Sequence, residues 1–152
     1  MKKARKVLVV EDNLVNRALV TRFLMREGYE VIFAENGLRG VELAGAEKPD
    51  IILMDIDLPE MDGLEATRRI KADPATSDIP VLALTAGALE GDVAKAAQAG
   101  CDAFAAKPVL YANLMQKVNG IVEDRRHRVL SEADEDPRSA PRGGRLIPGP
   151  PT

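Results

Sequence analysis

The chain has 152 residues, 45% of them apolar but only 3% aromatic, with no tryptophan. That suffices for one aliphatic core and leaves no room for a second output domain. A formal net charge of -3 argues against a general nucleic-acid binder, which shows a basic face or stripe. The lone Cys101 excludes an intrachain disulfide, suits a reducing compartment and reads as a small buried hydrophobe. Behind the basic start Lys2-Lys3-Ala4-Arg5-Lys6, the apolar run Val7-Leu8-Val9-Val10 is too short for a signal sequence or a membrane span, so a cytoplasmic protein is expected.

Strand-like runs near residues 6–10, 30–34, 50–55, 80–84 and 102–106 alternate with segments of helical period, the pattern of parallel βαβ units. The expected fold is α/β, a (βα)5 doubly wound five-stranded parallel sheet. The first run is apolar nearly throughout, as a strand covered on both faces requires. A helix over residues 14–26 follows, placing Val15, Leu19, Phe23, Val20 and Leu24 on neighbouring turns and ending at Gly28, a natural left-handed cap. Glu30-Val31-Ile32-Phe33-Ala34 starts polar and reads as a strand nearer the sheet edge. Leu38, Val41 and Ala44 mark a second helix ending before Pro49; Ile51-Ile52-Leu53-Met54 is a second central strand; Leu64, Thr67 and Ile70 mark a third helix ending near Asp73-Pro74. Leu89, Val93, Ala96 and Ala97 belong to a fourth helix, and Leu110, Leu114, Val118, Ile121 and Val122 to a fifth. Beyond residue 123 come Arg125-Arg126-His127-Arg128, an acidic stretch over 132–136 and a Pro/Gly/Arg-rich end, without apolar periodicity. The expected organisation is therefore one domain over 1–123 and a disordered tail over 124–152.

The chemistry sits where the strands stop. The first run ends in Glu11-Asp12, the third in Asp55, the fourth in Thr85 and the fifth in Lys107-Pro108. Ligands of open α/β sheets bind outside the carboxyl ends of the strands, so one pocket can hold all five side chains. Three carboxylates there repel one another unless a cation neutralises them, and an all-oxygen cluster suits a hard divalent ion such as Mg2+. Mg2+ completes its shell with water and phosphate oxygens, which makes a phosphoryl group the expected partner. A carboxylate can be the nucleophile, and Asp55, ending the most buried-looking strand, is the candidate. Lys107 and the Thr85 hydroxyl would then stabilise phosphoryl oxygens.

Val9-Val10-Glu11-Asp12-Asn13, Leu53-Met54-Asp55-Ile56-Asp57-Leu58-Pro59-Glu60-Met61-Asp62-Gly63, Ala83-Leu84-Thr85-Ala86 and Ala106-Lys107-Pro108 together resemble the receiver domain of two-component response regulators, over roughly residues 5–123. The resemblance implies a flavodoxin-like receiver fold with strand order 2-1-3-4-5. It implies that Asp55 accepts phosphate from a sensor histidine kinase or a histidine phosphotransfer protein. Asp12 would bind Mg2+ directly, Glu11 through water, and the backbone carbonyl of Asp57 would be a further ligand, leaving the Asp57 side chain a solvated loop acid. It also implies a cis peptide at Pro108 and a switch in which Thr85 moves toward the phosphoryl group and Phe104 swings into the vacated space. The face of the fourth helix, fifth strand and fifth helix would then engage a downstream protein. Because no output domain follows, a stand-alone regulator is expected; Glu11-Asp12-Asn13-Leu14-Val15-Asn16 and the stretch from Gly91-Asp92 to Gly100-Cys101-Asp102-Ala103-Phe104 look like the DivK type of cell-cycle regulator.

A haloacid-dehalogenase-type phosphohydrolase with Asp55 as nucleophile is the alternative, since Asp55-Ile56-Asp57 fits its Asp-x-Asp fragment. That family wants its first aspartate near the domain start and an acidic pair after the lysine, which this order does not supply. A flavodoxin-like cofactor binder would offer hydroxyls and glycines in its first loop, where Glu11-Asp12-Asn13 would repel a phosphate. His127 has no four-helix scaffold for phosphotransfer and reads as solvated.

Overall fold

The computed structural model describes the backbone of residues 5–86 and 90–134, with side chains given for these except Glu90 and residues 126–134. Five strands and five helices alternate: β1 (Lys6–Val10), α1 (Leu14–Arg26), β2 (Glu30–Ala34), α2 (Gly37–Glu47), β3 (Ile51–Asp55), α3 (Gly63–Ala72), β4 (Val81–Thr85), α4 (Glu90–Ala99), β5 (Ala103–Ala106) and α5 (Tyr111–Asp134). Every strand pairs in parallel, in the order β2-β1-β3-β4-β5. The order reverses between β1 and β3, so the connections leaving those strands diverge and open a crevice at their carboxyl ends.

The core is split by the sheet. Side chains alternate across a strand, so Val7, Val9, Ile51, Leu53, Leu82 and Leu84 pack with Val20, Leu24, Leu114 and Val118 on the α1 and α5 face. Leu8, Val10, Ile52, Met54 and Val81 pack with Ala44, Ala66 and Ile70 on the α2 and α3 face. The strands β3 and β4 are buried along their whole length, as central strands covered on both sides must be. The edge strand β2 leaves Phe33 half exposed.

Local signals set the helix ends. Asn13, Asn36 and Asp62 cap α1, α2 and α3 through side-chain oxygens that accept from the N–H three residues on. Past α1, Gly28 takes φ +87°, the left-handed turn expected of it. Gly63, the first residue of α3, answers a different need. A Cβ there would lie 2.2 Å from the Asp55 carbonyl oxygen, so the helix can start against the end of β3 only without a side chain.

Three expectations change. In α1, Val20 and Leu24 are buried, whereas Val15 and Leu19 are 75% and 40% exposed. The helix carries two apolar stripes and the sheet covers one. Strand β5 starts at Ala103, and Asp102 instead turns its carboxylate onto Val81 N–H and Lys71 Nζ, at 2.8 and 3.0 Å. Helix α5 runs to Asp134, where a tail had been expected from residue 124. Its sequence there has strong helix formers and no glycine or proline, so helix propensity continues after the apolar stripe has ended. Residues to Val122 form one compact unit and those from Glu123 a second. The rest of the expected tail, 135–152, and Leu89 of the fourth helix lie outside the described residues, as does the side chain of His127.

Candidate functional site

Backbone bonding brings the strand ends level. Glu11 N–H donates to Ala34 O, Ile56 N–H to Leu84 O and Lys107 N–H to Thr85 O, at 3.0, 3.1 and 2.8 Å. Glu11, Asp55 and Thr85 are nearly inaccessible, at 1%, 2% and 4% exposure, while Asp12 stands at the open rim. One carboxylate oxygen from each of Glu11, Asp12 and Asp55 lies within 4.8 Å of the others.

Lys107 Nζ sits 3.0 Å from Asp55 Oδ1 and 3.6 Å from Glu11 Oε1. Burial works against its charge, but the Asp55 carboxylate, with Glu11 and Asp57 behind it, outweighs burial and raises the ammonium above its ordinary 10.5. The Lys107-Pro108 peptide is cis. Asp55 Oδ1 also accepts from Asp57 N–H at 2.9 Å.

Glu11 is the strained member. Its Oε2 accepts from Asn13 N–H at 3.2 Å, but its Oε1 is buried without a hydrogen bond, because the ammonium at 3.6 Å is too far to make one. Burial, then the neighbouring Asp55 carboxylate, raises its pKa from 4.5 to about 7, against the opposing pull of Asn13 N–H and Lys107. An unpaired buried oxygen within a carboxylate-only donor set fits a hard divalent cation. The residues present therefore suit Mg2+.

Phe104 pairs in register with Ala83, and Thr85 with Ala106, so Phe104 and Thr85 share one face of the sheet two residues apart in register. Phe104 is half-buried, its ring 5.9 Å from Lys117 Nζ.

Two features were not visible in the sequence. Arg17 donates to the Glu11 carbonyl at 3.4 Å and stacks its guanidinium 4.1 Å above the Phe33 ring, bracing the β1–α1 connection against the sheet edge. The Asp57 side chain is exposed, as a loop acid should be, yet it also has a backbone partner: its Oδ2 accepts from Ala86 N–H at 3.3 Å. Neither partner lies close in sequence, so no local pattern announces them.

A parallel sheet of this order, with paired acids, a buried aspartate, a hydroxyl and a lysine at its carboxyl edge, defines a receiver-type signalling domain. The chain belongs to that family: residues 7–119 match the response regulator receiver domain. It is a two-component response regulator. It is 40% identical to the polar-differentiation response regulator DivK of Brucella anthropi over 120 residues, covering 79% of this chain and 98% of that one. DivK of Brucella ovis is 39% identical over the same shares. Among solved structures, the receiver domain of the sensor histidine kinase PA1611 from Pseudomonas aeruginosa, with a magnesium ion coordinated in its active site cleft, superposes with a TM-score of 0.75 at 37% identity, over 80% of this chain and 99% of that one. The chemotaxis protein CheY4 of Vibrio cholerae gives 0.75 at 25% identity, over 78% and 99%. Among the described residues, no helix is long and apolar enough to cross a membrane.

Proposed function

We propose that this chain is a Mg2+-dependent phosphoacceptor, taking a phosphoryl group on Asp55 from a sensor histidine kinase or histidine phosphotransfer protein and passing the signal to a downstream protein. The observation that carries this is the buried Asp55 carboxylate held by Lys107 Nζ at 3.0 Å within a cluster of three acids, one of whose oxygens has no hydrogen bond.

Glu11, Asp12, Asp55 and the backbone carbonyl of Asp57 would hold Mg2+, which when bound supplies positive charge to the phosphoryl oxygens. Asp55 Oδ1 already accepts from Lys107 and Asp57 N–H, so we assign the attack to Oδ2. The Oδ2–P bond forms as the P–N bond to the donor imidazole breaks, and the bond electrons leave with the imidazole nitrogen. Lys107 moves its ammonium from the carboxylate to a phosphoryl oxygen. The Thr85 hydroxyl donates to another, and Phe104 follows on the shared face, reshaping the α4, β5 and α5 surface. Leu14 and Val15, 69% and 75% exposed at the start of α1, give a partner helix an apolar landing beside the acids. The Brucella relatives are named for polar differentiation, and we assign this chain the same kind of output: protein contacts in cell-cycle or polarity control, in the cytoplasm.

Incubation with a small acyl phosphate and Mg2+, read by intact-mass spectrometry, should add one phosphoryl group. Asp55→Asn should abolish the addition and chelation of Mg2+ should suppress it. Equal labelling of the Asp55→Asn variant overturns the assignment.

A further inference from the structure

Asp57 is tied at both ends. Its N–H holds Asp55 Oδ1 at 2.9 Å, and its carboxylate Oδ2 holds Ala86 N–H at 3.3 Å, between the connections that follow β3 and β4. Ala86 is the first residue beyond β4 and follows Thr85 directly. One carboxylate oxygen, a short reach from Asp55, thus rests on a backbone donor at the site's edge.

A donor that holds one anionic oxygen there is suited to another, and a single N–H makes one good hydrogen bond at a time. Resting on the phosphoacceptor reading above, we propose that Asp57 is a latch: its carboxylate stands in for a phosphoryl oxygen on Ala86 N–H, keeps the start of the β4–α4 connection in the unphosphorylated position, and is displaced when Asp55 carries phosphate. Three properties suit the role. The bond is charge-assisted, so it forms without a ligand. It is long and lies at an exposed carboxylate, so a better-placed acceptor can replace it. The phosphoryl group carries the same sign of charge, so its arrival pushes Asp57 away as it claims the N–H. The latch thereby sets how much of the phosphoryl group's binding is spent on release, and so how far a given occupancy of Asp55 shifts Thr85 and Ala86.

The test uses the full chain, beryllium trifluoride as phosphoryl mimic, and saturating Mg2+ so that any change in metal affinity drops out. In the unliganded protein, Asp57→Ala should move the Ala86 amide resonance in a 1H–15N NMR spectrum. In titrations it should bind beryllium trifluoride roughly three- to tenfold more tightly than wild type, the range expected for removing one competing hydrogen bond. Asp57→Asn, which keeps an acceptor but not the charge, should fall between. Damage to the site would weaken binding, so the expected direction separates a latch from a structural part. Equal or weaker binding by Asp57→Ala, or an unmoved Ala86 amide, overturns the latch alone. Absence of binding by wild type as well as by the variants overturns the phosphoacceptor reading and the latch with it.

Discussion

Replacing Lys107 by alanine probes the electrostatics of the site before any phosphoryl group enters. The ammonium stands 3.0 Å from Asp55 and 3.6 Å from Glu11, carboxylates that are 2% and 1% exposed. Removing one partner of a buried ion pair destabilises by about 3–5 kcal/mol when the stranded charge has no relief. Relief exists here, because Glu11 titrates near a pKa of about 7 and can take up a proton, and because Lys107 is itself 19% exposed. The expected loss in EDTA at pH 8 is therefore about 2–3 kcal/mol, less at pH 6. Saturating Mg2+ returns positive charge to the same carboxylates and should shrink the loss below about 1 kcal/mol. By linkage the variant must then bind Mg2+ roughly tenfold more tightly than wild type, since a difference of about 1.4 kcal/mol is a factor of ten. Urea midpoints in EDTA and in Mg2+, with a direct Mg2+ titration, read both quantities. A loss that is the same in EDTA and in Mg2+, or a variant with weakened Mg2+ affinity, refutes the reasoning. Acyl phosphate should still label the variant, whose nucleophile is intact, but the conformational response seen by NMR should be blunted.

Glu11 gives the site a pH signature. A carboxyl raised in the fold from 4.5 to about 7 binds its proton more tightly folded than unfolded, so its stabilising contribution is full below about 4.5 and is lost as pH rises through about 7. Wild type in EDTA should thus lose stability between pH 5.5 and pH 8 relative to Glu11→Gln, and a constant difference between the two urea midpoints would contradict this. Cys101, whose thiol pKa is raised mainly by burial, should react with iodoacetamide at pH 8 more slowly than a small free thiol and catch up only on unfolding. Equal rates in the folded protein would count against that placement.

What could be read ahead of the structure follows from how local each signal is. The strands β1 and β3 are uninterrupted apolar runs ended by acids, and their burial on both faces needs only those runs. The α1 stripe was harder, because Val15 and Leu19 repeat at helical spacing as well as Val20 and Leu24 do, and packing against the sheet chooses between them. The end of α5 was harder to read, because its apolar periodicity stops at Val122 while helix-forming residues run on to Asp134. Around the site, the residues expected at strand ends stand there, since the end of a parallel strand is a fixed place. The Asp57–Ala86 and Arg17–Phe33 contacts instead depend on how connections from different strands fold over the sheet edge.

Gly63 divides the surroundings of Asp55 into parts that can vary and one that cannot. Where α3 begins, the neighbour of the Asp55 carbonyl is bare backbone, and any added carbon would collide at 2.2 Å. On another side stand Asp57 and Ala86, exposed residues whose side chains can be exchanged without opening the core. Divergence among such proteins can therefore retune the site from its rim, while the floor beneath Asp55 stays the same.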